Sequence, residues 1–142
     1  MTPDDARRVN VGLFIVHPTL DPREISGALG LEPTHSQRVG GERVTASGRP
    51  LSGIYHDTRW RHHNRHLLTD QWFCDQIADY VRPLKAHKPF FDELVRTGGS
   101  ASIIVQFLGD GYHGDGLPLE TMTTMVDLGL SLEIEVFKVP QR

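Results

Sequence analysis

One short pattern occurs twice in this chain, and the repetition limits what the chain can fold into. Near the start, an apolar run (Val9-Asn10-Val11-Gly12-Leu13-Phe14-Ile15-Val16) passes through a Pro-containing turn into a helical segment ending Leu29-Gly30-Leu31. Near the end, a second apolar run (Ala101-Ser102-Ile103-Ile104-Val105-Gln106-Phe107-Leu108) passes through a loop into a helical segment ending Leu128-Gly129-Leu130. The alternating strand Leu132-Glu133-Ile134-Glu135-Val136-Phe137 follows it. A duplicated strand–helix–strand unit specifies an architecture and leaves the chemistry open.

The first unit is well punctuated. The continuous apolar character of 9–16 predicts a central strand covered on both faces. Asp21 is a good N-cap, Pro22 suits the first helical position, and Glu24 is placed for a capping box. Leu20 and Ile25 stand at the two positions of a hydrophobic staple. Gly30 supplies the left-handed stop, so the helix is expected over 21–29, with Ile25, Ala28 and Leu29 forming one apolar face. Pro33 makes the extended stretch 32–39 an edge rather than a centre. After Gly40-Gly41, segments 42–45 and 53–60 read as two strands joined by the turn Ser47-Gly48-Arg49-Pro50.

From Thr69 the period becomes helical. Trp72, Phe73, Ile77, Tyr80 and Val81 mark one helix, which Pro83 is expected to end. Phe90, Phe91, Leu94 and Val95 mark a second, closing at Gly98-Gly99. The aromatic stripe reads as core. In the second unit the strand–helix loop is long (Gly109–Gly116), and Leu117-Pro118-Leu119 offers the next helix no polar cap. Met122, Met125, Val126 and Leu128 give that helix an apolar face. The last strand alternates cleanly, so it is expected to cover one face only.

A length of 142 residues suits one domain, divided here into a frayed tail (1–8), the first unit with its hairpin (9–66), connecting helices (69–97) and the second unit (100–138). The lone cysteine, Cys74, lies among Trp72, Phe73 and Ile77 and reads as a small buried hydrophobe. The polar, acidic opening Met1-Thr2-Pro3-Asp4-Asp5 is unlike a signal peptide, and no apolar run has the length of a membrane span. A cytoplasmic protein without membrane contact is expected.

The order of these motifs resembles the bacterial family DUF4279, whose activity is uncharacterised. The resemblance rests on Leu20-Asp21-Pro22-Arg23-Glu24-Ile25-Ser26, Leu29-Gly30-Leu31-Glu32-Pro33-Thr34, Gly40-Gly41-Glu42, the strand ending in Trp60, and Leu128-Gly129-Leu130 with Ile134. It covers roughly 9–138 and implies no catalytic residue. The long Gly109–Gly116 loop and the histidines after Trp60 depart from the family pattern. The tandem units predict a ferredoxin-like α+β fold: one mostly antiparallel sheet whose two units interleave, helices on one face, and an extra hairpin.

Charge is uneven along the chain. Half of the arginines (Arg38, Arg43, Arg49, Arg59, Arg61, Arg65) and four histidines (His56, His62, His63, His66) fall within 38–66, opposed there only by Glu42 and Asp57. Such asymmetry suits an anionic partner or a solvated hairpin. His62 and His66 would share a helical face, with His56 or Asp57 as a further zinc ligand, but three arginines crowd the segment, so no metal is expected. Asp110, His113 and Asp115 lack the spacing of a calcium loop, and no Gly-Lys-Ser/Thr phosphate loop follows them. No nucleophile elbow is present. Nucleic acid is not expected, because the RNA-binding aromatic motif is missing and Glu133 and Glu135 would repel phosphate.

Two function classes follow. The first is a non-enzymatic, cofactor-free domain of accessory or immunity type that binds another protein or a second copy of itself. The second is a small-molecule or anion-binding enzyme using the Arg/His-rich segment 38–66, with Arg38, Arg43, Trp60 and His62 as its ligand-binding residues. In that second class Arg38, Arg43 and Trp60 line one concavity with His62 at its rim; the competing reading makes Trp60 a core plug. A deep pocket with converging Arg and His favours the enzyme, and a flat apolar patch favours the binding domain.

Overall fold

The computed structural model describes residues 8–66, 72–108 and 114–137. The tail 1–7, the loop positions Asp110 and His113, and the side chain of the candidate ligand His66 lie outside the described residues. The elements run β1 (Arg8–His17), α1 (Pro22–Leu29), β2 (His35–Gln37), β3 (Glu42–Val44), β4 (Pro50–Ile54) and β5 (Thr58–His66). After α2 (Phe73–Val81) come a 3₁₀ segment (Arg82–His87) and α3 (Lys88–Arg96), then β6 (Ser100–Leu108), α4 (Leu119–Asp127) and β7 (Leu130–Phe137).

Five strands form one sheet in the order β2-β5-β1-β6-β7. β1 and β6, the two apolar runs, pair antiparallel at its centre, as expected, with Leu13 opposite Ile103. Their alternate residues Val9, Val11, Leu13, Ile15, Ala101, Ile103, Val105 and Phe107 point to the helices and are buried with Ile25, Ile77, Val81, Phe91, Leu94, Met125 and Leu128. Burial of this continuous apolar layer is the main source of stability.

The two units do not fold alike. In the first, β1 and β2 flank β5, a strand of the same unit, where interleaving of the two units would have placed β6. In the second, β7 pairs directly with β6, in parallel, from Ala101 opposite Leu130 to Leu108 opposite Phe137. The ferredoxin-like order would have placed β1 between them. The fold is therefore a mixed α+β domain with a mostly antiparallel five-stranded sheet. The strand inserted beside β1 is β5, and it occupies the place that β7 would need.

The expected hairpin is also redrawn. Its second strand divides: Pro50–Ile54 pairs with β3 in a separate two-stranded ribbon, and Thr58 begins β5 in the main sheet. The Gln37 side-chain amide holds the intervening bend by donating to the Asp57 carbonyl and carboxylate at 3.3 and 3.1 Å. The stretch after Trp60 is strand rather than linker, so positions 62 and 66 lie about 13 Å apart at strand rise and do not form a helical metal pair. Gly12 explains how β1 and β5 pack so closely here, because a Cβ on it would collide with the His62 carbonyl and the His63 Cβ.

The cap at Asp21 and the glycine stops hold, whereas Ala28, read with Ile25 and Leu29, is exposed. Asp21 accepts from the Arg23 amide at 2.8 Å, and the Arg23 side chain grips the same carboxylate. Gly30 and Gly129 both sit at positive φ, 67° and 70°, so the shared Leu-Gly-Leu ending is a shared backbone reversal. The α-helix ends at Val81, ahead of Pro83 as expected, and the chain runs on as a 3₁₀ segment in which Pro83 stands near the start, where a missing N–H costs little. α2 has no side-chain cap of its own. Asp115, from the loop before α4, accepts from the Cys74 amide at 3.2 Å and puts a negative charge at that helix end. Cys74 is buried, and burial with Asp115 nearby pushes its thiol up to about 11, an unreactive state.

Candidate functional site

β5 carries the predicted site residues in alternation. Thr58, Trp60 and His62 point to the helices, while Arg59, Arg61 and His63 point to the open face. Trp60 has no exposed surface, and its indole N–H donates to Ser26 Oγ at 3.0 Å. It is the core plug beneath α1. His62 lies next to it, ring over ring at a centroid separation of 6.3 Å, and reaches a cleft lined by Leu29, Leu31, Asn64, Tyr80, Leu84 and His87. The cleft encloses about 230 Å³.

Tyr80 fixes the imidazole. Its hydroxyl lies 2.6 Å from His62 Nδ1 and 3.4 Å from the His62 carbonyl. Burial raises the Tyr80 pKa far above any working pH, so the phenol remains protonated. Burial, with His63 beside it, lowers that of His62. Burial thus favours the uncharged form of both partners.

The arginines lie elsewhere. Arg43 donates to the Ser52 carbonyl at 3.3 Å and borders a separate groove with Gln37, Tyr55, His56 and Arg59. Arg38 is exposed, and its charge acts on Asp21 at the start of α1. Trp60 and His62 are thus together, but Arg38 and Arg43 do not share their concavity. A core tryptophan and a ribbon on another edge separate residues that sequence spacing placed side by side. Among the described residues, no three histidine, cysteine or acidic side chains are grouped to hold a metal ion.

A second buried histidine has a structural role. His17 Nδ1 accepts from the Thr19 and Leu20 amides at 3.0 and 2.9 Å, leaving Nε2–H to donate to Thr97 Oγ1 at 2.7 Å. Protonating Nδ1 breaks the turn that leads into α1, and burial lowers this pKa as well. For a histidine whose folded pKa is depressed, the neutral form favours folding. The contributions of His17 and His62 are complete above the ordinary histidine value of about 6.5 and are lost as pH falls through the lower folded values. Denaturation midpoints should fall from pH 7 to pH 5, and His17→Asn, which keeps an acceptor but cannot titrate, should flatten the fall. An unchanged slope in that variant would contradict this assignment.

An uncovered apolar margin was not foreseen. β7 is an edge strand, and its helix-side residues Leu132, Ile134 and Val136 are 42, 62 and 72 % exposed. α4 packs on β7 and presents Leu119, Met122 and Val126 at helical spacing, with Leu119 and Val126 both 79 % exposed. The alternation of β7 was legible, but the expectation that its apolar face covers core fails, because Leu132, Ile134 and Val136 stay exposed at the sheet margin although α4 contacts the strand. On the other face, Glu135 accepts from Gln106 at 3.3 Å and faces Arg61 at 3.9 Å, whereas Glu133 is exposed with no cationic partner among the described residues.

The family model described as a domain of unknown function, DUF4279, matches residues 7–137. The chain belongs to this family. No curated protein and no solved structure matches it. In this DUF4279 protein the motif residues are structural: Asp21 caps α1, Gly30 reverses the chain, and Trp60 fills the core. No described helix is long and apolar enough to cross a membrane.

Proposed function

We propose that this DUF4279 protein is a non-enzymatic binding domain that contacts another protein through the margin formed by β7 and α4. The observation that carries this reading is the apolar surface left open there by Leu132, Ile134, Val136, Leu119 and Val126. Exposed apolar residues gathered on one margin mark interaction sites in soluble proteins, whereas scattered ones do not. The alternative of a small-molecule or anion-binding enzyme draws less support, since His62 and Arg43 line separate surfaces and Arg38 lines neither. Photo-crosslinking in the native cells tests the reading. A benzophenone side chain at position 126 or 134 should give one discrete adduct that the same group at exposed Glu24 or Asp92 does not give. Equal labelling from all four positions, or none from any, would overturn it.

A further inference from the structure

We propose, resting on that protein-binding reading, that the edge of β7 left unpaired among the described residues takes up an extended strand of another protein whose residues alternate between basic and apolar. An edge strand exposes a row of unpaired backbone groups, and natural proteins blunt such edges with short strands, lysine, proline or bulges. The opposite edge of this sheet follows that rule: β2 is three residues long and follows Pro33. β7 does not. It runs for eight residues, against three in β2, has no Lys, Arg or Pro within the strand, where Lys138 and Pro140 follow only in sequence, and keeps an unbroken register with β6. Added strands draw affinity from main-chain hydrogen bonds and specificity from alternate side chains.

Those alternate side chains define the partner. On one face Leu132, Ile134 and Val136 offer an apolar stripe continuous in the strand; on the other Glu133 and Glu135 offer two carboxylates. Among the described residues Arg61 approaches Glu135 and no cation pairs with Glu133, so the Glu133 carboxylate is the one left open there. A strand with Lys or Arg on that face and aliphatic residues on the other complements both. A second copy of this chain does not. Antiparallel pairing of β7 with itself about Ile134 sets Glu133 opposite Glu135, and shifting by one pair sets Glu133 or Glu135 opposite its own copy. Like charges directly opposite destabilise a strand pair.

The test uses the full chain, ¹⁵N-labelled, and two blocked heptapeptides: one alternates lysine with valine, and its twin carries glutamate in place of lysine. The lysine peptide should shift β7 amide resonances and slow their hydrogen exchange, binding at least about tenfold more tightly than the glutamate twin. Glu133→Gln, a conservative change at an exposed site, should remove most of that preference while leaving the fold unchanged. Equal binding of the two peptides, or shifts confined to other elements, would overturn the proposal. So would a concentration-dependent dimer whose β7 amides are protected without any peptide. If position-specific crosslinks form but the lysine peptide leaves β7 unaffected, strand addition fails and the protein-binding reading stands. If neither occurs, both fall.

Discussion

Replacing Trp60 with alanine should lower folding stability by about 3–5 kcal/mol, enough to unfold much of a marginally stable domain. Trp60 is the largest side chain with no exposed surface. It stands on β5 opposite Ile15 of the central strand and packs beneath α1, so its removal opens a cavity where sheet and helix meet. Relaxation is limited, because Trp60 also ties Ser26 of α1 to the sheet through its indole N–H. Trp60→Phe separates the two contributions: it keeps most of the apolar volume and loses the hydrogen bond. Urea denaturation of the three proteins checks the ordering, with phenylalanine between wild type and alanine. A loss under about 0.5 kcal/mol for alanine, the range of exposed positions, would place Trp60 outside the core.

The second large effect is expected at Leu128. Truncation to alanine should cost about 2–5 kcal/mol. Leu128 is buried with Met125 and Leu130 where α4 ends on the sheet, and Gly129 at φ 70° then turns the chain into β7. The change removes the last apolar anchor of α4 before that reversal. Leu29, buried ahead of Gly30 in the first unit, is its counterpart and should lose a comparable amount. Chemical denaturation again measures both. A neutral result at Leu128 together with a large one at Leu29 would mean that the two helix ends are anchored differently despite their common motif.

The β7 margin gives these stability effects a functional contrast. Ile134 and Val136 are apolar residues of a strand, as Ile15 and Val105 are, yet they remain open to solvent. The difference is position in the sheet. β1 and β6 are flanked by strands and roofed by helices, whereas β7 ends the sheet. Substitutions at Ile134 and Val136 should therefore affect partner binding far more than folding.

Local chemistry by itself determined a good part of this protein. The cap at Asp21, the stops at Gly30 and Gly129, and the central strands around Leu13 and Ile103 could be read because each depends on neighbours in sequence or on a continuous apolar run. The burial of Leu29, Leu128 and Cys74 followed from the same patterns. Tertiary structure alone decided which strands became neighbours. Thr58 to Asn64 is too rich in Arg, His and Asn to resemble a strand beside the sheet centre, and it holds that place because Thr58 and Trp60 supply the inward face while the cations face out. The insertion of β5 beside β1 sends β7 to the opposite margin, where alternation that would elsewhere signal a half-buried strand leaves its apolar side uncovered. The cap that Asp115 gives α2 and the bond between Tyr80 and His62 were hidden for the same reason. Residues 41 and 18 positions apart meet only when the chain closes its sheet, and no local preference records that closure.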